Sequence, residues 1–329
     1  MKQLAAPVAS VARMAAAGLS GHGVGAKLLI LIFHRVLDGP DPLNADEPDA
    51  ATFAAQMDLV RGLFNVLSLR EAAARLRDGS LPRRAACITF DDGYRNNREV
   101  AAPILAERGM PATFFIATGY LNDGRMWNDT IIESVRRAPE SFDLRHLDLG
   151  LHDLPDWGAR VRLVAALLGK LKYLPSPERI TTANAIASVV GQALPHDLMM
   201  TDAQVREMAA MGMEIGAHTV SHPILARIAD EEARQEIVDS KRRLEEILGE
   251  EVSTFAYPNG RPGQDYGAQH PGMVRAAGFR AAVSTARGHC SSAFDQYQLP
   301  RLAPWDRTPE RYALRLLRGY LQQGPPAVA

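Results

Sequence analysis

The stretch Cys87-Ile88-Thr89-Phe90-Asp91-Asp92-Gly93 joins a short apolar run to two adjacent carboxylates and a glycine. A short apolar run that ends in a turn signal is typical of a buried strand. In α/β folds the active site lies at the carboxyl ends of the strands. An ordinary solvated Asp-Gly turn also explains the motif when it is taken alone. Because adjacent residues at a strand end point in different directions, Asp91 and Asp92 can serve two roles, metal binding and proton transfer.

Outward from this stretch, short apolar runs alternate with segments of helical periodicity. This alternation indicates βαβ units and a largely parallel sheet, the α/β class. The strands are predicted at 28–33, 87–90, 113–117, 213–217, 254–257 and 281–284. The helices are predicted at 53–63, 97–108, 202–211 with a capping box of Thr201 and Gln204, 231–248 and 310–321.

The alternation is interrupted at 119–198, where helical patterns at 127–137, 158–172 and 177–192 occur and no strand is predicted. We therefore expect a helical insertion inside one domain that spans 27–305. A leader helix is expected at 1–26, and a C-terminal helix with a loose tail at 306–329. Arg13 interrupts the alanine-rich leader before a dense apolar region forms. This pattern favours a cytoplasmic protein, with an exported or membrane-peripheral protein as the alternative.

The composition excludes several classes of protein. The chain has 329 residues, 47% of them hydrophobic, and its 37 basic and 38 acidic residues give a net charge of −1. Without a block of like charge, a dedicated nucleic-acid binder is excluded. No apolar run reaches the ~18–20 residues that span a bilayer. The two cysteines, Cys87 and Cys290, cannot build a disulfide framework or a Cys-rich zinc site, so a metal would need histidine and carboxylate ligands.

A second motif, His218-Thr219-Val220-Ser221-His222, directly follows the apolar run at 213–217. Two imidazoles four residues apart can bind one ion when the segment takes a helical turn. The spacing alone is weak support, but its position after a strand strengthens it. One of the two aspartates together with both histidines supplies three N/O ligands and leaves one position open, as in catalytic zinc sites. The other carboxylate is then a candidate base.

Two further segments carry candidate residues. The run at 254–257 is followed by a Pro-Asn-Gly turn, and turn chemistry alone explains these three residues. The functional alternative is that the turn points the backbone N–H of Tyr257 at a developing oxyanion. His34 closes the first predicted strand. A histidine there is more often a rim or core residue, but beside the metal-bearing strands it is the natural general acid.

Together these motifs resemble the polysaccharide deacetylases of carbohydrate esterase family 4, which share the NodB homology domain. The resemblance rests on TFDDG at 89–93, HTVSH at 218–222 and FAYPNG at 255–260 with GFRAAV at 278–283, and it covers about 27–120 and 198–305. It implies a distorted (β/α) barrel and metal-dependent hydrolysis of an N-acetyl group on a sugar, with release of acetate. One divalent metal is implied, Zn²⁺ first and Co²⁺ or Ni²⁺ as alternatives.

Carried over to this sequence, the family pattern makes Asp91 the general base and Tyr257 the oxyanion residue. It makes Asp92, His218 and His222 the metal ligands. The implied partner is an N-acetylated glycan, and the machinery of exopolysaccharide synthesis is a candidate protein partner.

Two departures from the usual pattern bear on the general acid. No arginine precedes Tyr257, and no late Leu-x-His follows it. The sequence is instead similar to the rearranged branch typified by biofilm poly-N-acetylglucosamine deacetylases, in which an early His-x-Val segment supplies the acid. This points to His34, with His289 as the competing candidate. Arg301 lies in a Leu-Pro-Arg segment that also occurs in this branch. Its expected role is to orient Asp91 or the substrate, and a purely structural role is the alternative.

Two other functions stay open at this point. A deformylase or amidase acting on a lipid-linked sugar or a nucleobase-derived amide would use the same metal site. A carbohydrate-binding or assembly protein would keep the fold without catalysis. The insertion is expected to decide substrate choice, and Trp127 and Asn128 are able to stack on and hydrogen-bond a sugar, although simple packing explains Trp127 as well.

Overall fold

The computed structural model describes residues 4–324 and residue 328. In these residues one main sheet has eight strands, all of them paired in parallel, and a separate antiparallel hairpin has two. The main strands are β1 (Leu29–Phe33), β2 (Asn65–Val66), β3 (Ala85–Phe90), β4 (Thr113–Ile116), β7 (Glu214–Ala217), β8 (Thr254–Ala256), β9 (Ala281–Arg287) and β10 (Leu299–Arg301). The hairpin strands are β5 (Ser141–Asp143) and β6 (Leu151–Asp153).

Eleven α-helices accompany these strands in the same residues. They are α1 (Ala6–Leu19), α2 (Ala50–Leu63), α3 (Leu69–Arg77), α4 (Ala102–Glu107), α5 (Trp127–Arg137), α6 (Trp157–Leu171), α7 (Ser176–Val190), α8 (Asp202–Ala210), α9 (Asp230–Leu248), α10 (Gln269–Ala276) and α11 (Pro309–Gly319). The predicted capping box is confirmed, because the side chains of Thr201 and Gln204 bond each other's backbone N–H. None of the described helices is long and apolar enough to cross a membrane.

The strand order β1-β3-β4-β7-β8-β9-β10 brings the two ends of the sheet together. Leu302, just after β10, donates its N–H to the Ile30 carbonyl of β1 at 2.8 Å and accepts from the Ile32 N–H at 3.1 Å. The sheet is therefore a nearly closed, distorted (β/α) barrel, as predicted. β2 and β10 were not predicted, because two or three residues are too few to show a hydrophobic pattern.

Strand β3 shows why the sequence folds this way around the later site. All six of its residues are buried, as expected for a parallel strand covered on both faces. On one face the Phe90 ring stacks on Phe33 and Phe114 at centroid distances of 5.3 Å and 4.7 Å and packs against Phe53 of α2. Thr89 alternates to the other face, where its hydroxyl donates to the Leu31 carbonyl at 2.8 Å. The polar residues that follow Phe90 therefore leave the strand at the carboxyl edge of the barrel.

The insertion at 119–198 contains α5, α6, α7 and the β5–β6 hairpin, around an apolar cluster of its own. The hairpin corrects the expectation that this region has no strand. Its two strands have three residues each, and their sequences Ser-Phe-Asp and Leu-His-Asp carry too little apolar alternation to be recognised.

In the expected leader, α1 buries Ala12 and Ala16 and packs against α2 and α11. Residues 1–3 of the leader and residues 325–327 and 329 of the expected loose tail lie outside the described residues. The boundaries of the three expected segments stay a prediction.

Candidate active site

The two adjacent aspartates leave β3 in different directions because the backbone turns between them. The Asp91 N–H still donates to the Phe33 carbonyl at 3.0 Å, which continues the parallel ladder. Asp92 has a φ of 78°, in the left-handed region, and Gly93 follows at 90°. A non-glycine residue there stores strain that the surroundings must hold, a feature that clusters at functional sites. Here the Ala117 N–H, just after β4, holds the Asp92 carbonyl at 3.2 Å.

Asp92 meets the two histidines of the HTVSH motif. Its Oδ1 lies 3.5 Å from His218 Nε2 and 3.4 Å from His222 Nε2, and one donor atom of each residue lies within 4.8 Å of the others. The segment that carries the histidines is a tight loop and not a helical turn, with Thr219 and His222 at φ 66° and 54°. Glu236 of α9 holds this loop by accepting from the backbone N–H groups of Val220 and Ser221 at 2.7 Å and 2.9 Å.

The donor atoms of these three residues suit a divalent cation. Burial lowers the pKa of His222 to about 3, so its imidazole is neutral. His218 Nδ1 lies 2.7 Å from the Ala256 carbonyl, which requires the proton on Nδ1, and its Nε2 lies on the side of Asp92. Burial raises the pKa of Asp92, but the close contact with His218 and the other imidazoles around it outweigh burial and hold the pKa below its ordinary value. Two imidazoles and one carboxylate are a donor set that zinc accepts.

Asp91 forms a buried bidentate ion pair with Arg301. Both carboxylate oxygens lie 2.7 Å from guanidinium nitrogens, and Arg301 also donates to Thr89 Oγ1 at 3.2 Å and to the Ser284 carbonyl at 2.9 Å. Burial raises the pKa of Asp91, but the Arg301 charge and its hydrogen bonds hold the pKa below its ordinary value. Asp91 is therefore an ionised carboxylate in a fixed orientation. Of the three predicted roles of Arg301, its contacts match the orientation of Asp91.

His34 follows β1 and lines the same cavity, of about 420 Å³, as both aspartates and both histidines. Its side chain is 47% exposed, and its Nδ1 lies 3.9 Å from Glu47 Oε1. Burial lowers the pKa of His34, but the carboxylates of Asp92, Glu47 and Asp91 outweigh this and raise the pKa above its ordinary value. The raised pKa favours the protonated form of His34 at the mouth of the site.

The competing acid, His289, lies elsewhere in the molecule. Its Nδ1 is 2.8 Å from the Gln322 carbonyl, and the next residue, Cys290, exchanges backbone hydrogen bonds with Leu28 just before β1. His34 lies six residues of extended chain beyond Leu28, about 20 Å away at the other end of the strand. The structure does not bring His289 to the aspartates.

Tyr257 does not present its backbone N–H to the cavity. That N–H donates to the Val283 carbonyl of β9 at 3.2 Å, and the fully buried side chain donates its hydroxyl to the Tyr297 carbonyl at 3.0 Å. The predicted oxyanion role of Tyr257 therefore lacks its donor here, because the sheet ladder extends one residue past β8. Asn259, two residues on, lines the cavity, and its backbone N–H has no acceptor among the described residues.

Sequence reasoning missed a buried polar network that forms another part of the cavity wall. The Tyr94 hydroxyl lies 3.2 Å from both carboxylate oxygens of Asp129, and the Arg35 guanidinium stacks on the Tyr94 ring at 4.5 Å and lies 3.6 Å from Asp129. Burial raises the pKa of Asp129 to about 6. Two of these residues could have been found from the sequence because they lie next to predicted site residues. Arg35 follows His34, and Tyr94 follows the Asp-Asp-Gly motif.

The insertion supplies the rest of this wall. Trp127 and Asn128, at the start of α5, line the cavity, and Asn128 Nδ2 lies 3.3 Å from the Tyr94 hydroxyl. The Trp127 ring is partly buried and has Arg179 stacked over it at 5.0 Å. Lys172, just after α6, and Arg179 of α7 line the cavity as well.

The chain is similar to known deacetylases in sequence and in fold. The family model "Polysaccharide deacetylase" matches residues 78–148 and 176–282, more than half of the chain. "Putative polysaccharide deacetylase YxkH" of Bacillus subtilis is 22% identical over 84% of this chain and 71% of its own length. A poly-beta-1,6-N-acetyl-D-glucosamine N-deacetylase of Staphylococcus aureus is 29% identical over 41% of this chain and 48% of its own length, so the match spans about half of that relative.

Two solved structures share the fold. The deacetylase PplD of Streptococcus pyogenes, in complex with acetate, superposes with a TM-score of 0.59 at 21% identity, over 90% of this chain and 98% of its own. IcaB of Ammonifex degensii gives a TM-score of 0.57 at 20% identity, over 92% and 99%. With the family model matched across both motifs, the chain belongs to the polysaccharide deacetylase family.

Proposed function

We propose that this protein is a metal-dependent N-deacetylase that removes acetyl groups from an N-acetylglucosamine-type glycan and releases acetate. One observation carries the proposal. An ionised carboxylate fixed by Arg301 lies in the same cavity as the Asp92, His218 and His222 cluster and the proton donor His34. Membership of the polysaccharide deacetylase family supports the reaction class.

Each residue of the site has a separate role in the proposed reaction. Asp92, His218 and His222 would hold the metal, which when bound supplies Lewis acidity toward the acetamide carbonyl and acidifies water. Asp91 accepts the proton of the attacking water as the new carbon–oxygen bond forms. The Asn259 N–H would donate to the developing oxyanion, the role that the sequence assigned to Tyr257. His34 protonates the leaving nitrogen as the carbon–nitrogen bond breaks, leaving a free amine and acetate.

The polar wall of the cavity is suited to a sugar ring. Arg35 Nε and Asn128 Oδ1 are buried without a hydrogen-bond partner in the described part of the chain, and both residues line the cavity. Buried polar atoms of this kind are costly unless a ligand satisfies them. Sugar hydroxyls both donate and accept, so they match a guanidinium N–H and an amide oxygen. Because the Staphylococcus aureus relative is a poly-beta-1,6-N-acetyl-D-glucosamine N-deacetylase, this polymer is the first glycan to test. Proteins of exopolysaccharide synthesis are the first partners to test.

Acetate release from short N-acetylglucosamine oligomers tests the function. We expect the purified protein, stripped of metal and reloaded with Zn²⁺, Co²⁺ or Ni²⁺, to release acetate only when reloaded. A protein that binds one metal per chain but releases no acetate from any oligomer would favour a deformylase or another amidase. A protein that binds no metal and releases no acetate would contradict the catalytic proposal.

The acid assignment gives a matched pair of variants. His34→Ala is expected to lower kcat by about 10²–10⁴-fold, the usual contribution of a general acid. His289→Ala is expected to leave kcat unchanged, because His289 lies at the far end of β1. Metal content, measured in both proteins, should stay at the wild-type level. The opposite pattern, with activity lost only in His289→Ala, would refute the assignment.

A further inference from the structure

The cavity at the candidate metal site adjoins a second, larger one of about 960 Å³. Both cavities share a boundary made of His34, Glu47, Lys172, Asn259 and Thr285. Beyond this boundary the larger cavity is lined by Arg261, Arg287 and the half-exposed Trp305. The two cavities therefore form one cleft, with room beside the reacting sugar for another part of the substrate.

Four cations line this cleft without a carboxylate partner. Among the described residues, no Asp or Glu oxygen lies within 4 Å of the Lys172 ammonium or of the guanidinium groups of Arg179, Arg261 and Arg287. The other two arginines of the cleft are paired, Arg301 with Asp91 and Arg35 with Asp129. On the acidic side, Glu47 accepts the backbone N–H of Arg35 at 3.2 Å and faces His34, which leaves Asp92 at the candidate metal site and Asp46. With four unpaired cations against these two carboxylates, the net unpaired charge of the cleft is positive.

Arg179 is the most constrained of the four. Its side chain is 3% exposed, and two of its nitrogens donate to the Lys172 carbonyl at 3.0 Å and to Ser176 Oγ at 2.9 Å. Its Nε is buried without a partner in the described residues. A buried guanidinium without a counter-charge is unfavourable, because desolvation is not repaid by an ion pair.

The neighbouring cations also act on one another. Burial lowers the pKa of Lys172, and the positive charges of Arg261 and Arg179 lower it further, against the opposing charge of Asp265. These groups are thus close enough to repel each other. An anion in the cleft would relieve this repulsion and supply the missing partner.

We propose that this cleft, bounded by Lys172, Arg179, Arg261 and Arg287, is an anion subsite that binds a phosphate or carboxylate of the substrate next to the acetamido sugar. This inference rests on the proposed deacetylase function and refines its substrate. The preferred glycan then carries a negative charge within one sugar of the reacting acetamide, either as a sugar phosphate or as a neighbouring acidic sugar. A neutral N-acetylglucosamine polymer would leave the four cations unpaired.

Calorimetric binding tests the proposal with three ligands and the metal-loaded Asp91→Asn protein, whose turnover is expected to be about 10²–10⁴-fold slower. The ligands are a neutral N-acetylglucosamine disaccharide, the same disaccharide with a 1-phosphate, and an oligomer alternating N-acetylglucosamine with glucuronate. We expect one anionic ligand to bind about tenfold more tightly than the neutral one at low salt. A preference for the phosphate or for the carboxylate identifies the source of the charge.

Variants in the same background assign the anion to the cleft. Adding Lys172→Gln and Arg261→Gln together is expected to remove the tenfold preference for the anionic ligand, because each exposed ion pair contributes up to about fivefold. The matched control is Lys170→Gln, two residues away on α6, whose ammonium bonds the Asp148 carbonyl outside the cleft. It is expected to keep the preference.

Two results would overturn the anion subsite. One is equal binding of all three ligands, and the other is a phosphate preference that survives Lys172→Gln with Arg261→Gln, which would place the anion on the metal instead. Failure of the proposed function looks different. In that case wild-type protein would keep the Lys172- and Arg261-dependent preference and release no acetate from any ligand.

Discussion

Asp91→Asn protein is expected to keep its metal and to lose about 10²–10⁴-fold in kcat, whereas Asp92→Ala protein is expected to lose the metal itself. The two residues are adjacent, yet their surroundings differ. Asp91 bonds Arg301 with both oxygens, and Asp92 faces His218 and His222. An asparagine at 91 keeps the shape and one acceptor for Arg301, but it cannot take a proton from water.

Metal content per chain, with acetate release on the same preparations, decides this prediction. His218→Ala is the matched control for Asp92→Ala, because it removes a second expected ligand and leaves Asp91 and Arg301 in place. Both ligand variants should be metal-poor and inactive. Metal-free Asp91→Asn together with metal-loaded Asp92→Ala would show that the two carboxylates have the opposite roles.

Arg301→Met is expected to destabilise the protein by about 3–5 kcal/mol, the usual cost of removing one partner from a buried ion pair. The side chain of Arg301 is fully buried and makes four hydrogen bonds to Thr89, Asp91 and Ser284. Without it, the Asp91 carboxylate is left in a buried site with no counter-charge. Denaturant unfolding at neutral pH, compared with wild type, measures the loss.

The pH dependence of unfolding gives the sign of the Asp91 contribution. In wild type the pKa of Asp91 is lowered, so its stabilisation is present above the ordinary aspartate pKa and is lost as pH falls through the lower folded value. In Arg301→Met, the charge and hydrogen bonds of Arg301 no longer oppose burial, so the pKa of Asp91 rises relative to wild type. The variant should therefore regain stability relative to wild type as the pH is lowered from 7 toward 5.

A double variant and a surface control complete the test. Asp91→Asn with Arg301→Met should be less destabilised than the sum of the single variants, because no unpaired charge remains. Arg280→Gln, which removes an exposed pair with Glu251, should leave the free energy of unfolding nearly unchanged. An Arg301→Met protein as stable as wild type would refute the structural part of the prediction.

The sequence predicted which polar residues lie together at the strand ends, because that signal is local. Asp91, Asp92, His218 and His222 each follow an apolar run, and parallel strands place their carboxyl ends at one edge. The loop after β7 differs from a helical turn, since Glu236 of α9 holds its backbone from a helix later in the chain. The donor types were thus predictable, and the loop geometry was not.

The sequence by itself determined the α/β class, the succession of strands and helices, and which polar residues follow the strands, because hydrophobic period and turn residues act over a few positions. Only the tertiary structure decided which of these residues contact one another. Arg301 pairs with Asp91, which lies 210 residues away in the chain, and the Tyr257 N–H donates to a carbonyl of β9. Lys172 and Arg179 of the insertion line the cleft. These outcomes depend on which strands become neighbours and how the barrel closes, and no local pattern records a contact between residues so far apart in the chain.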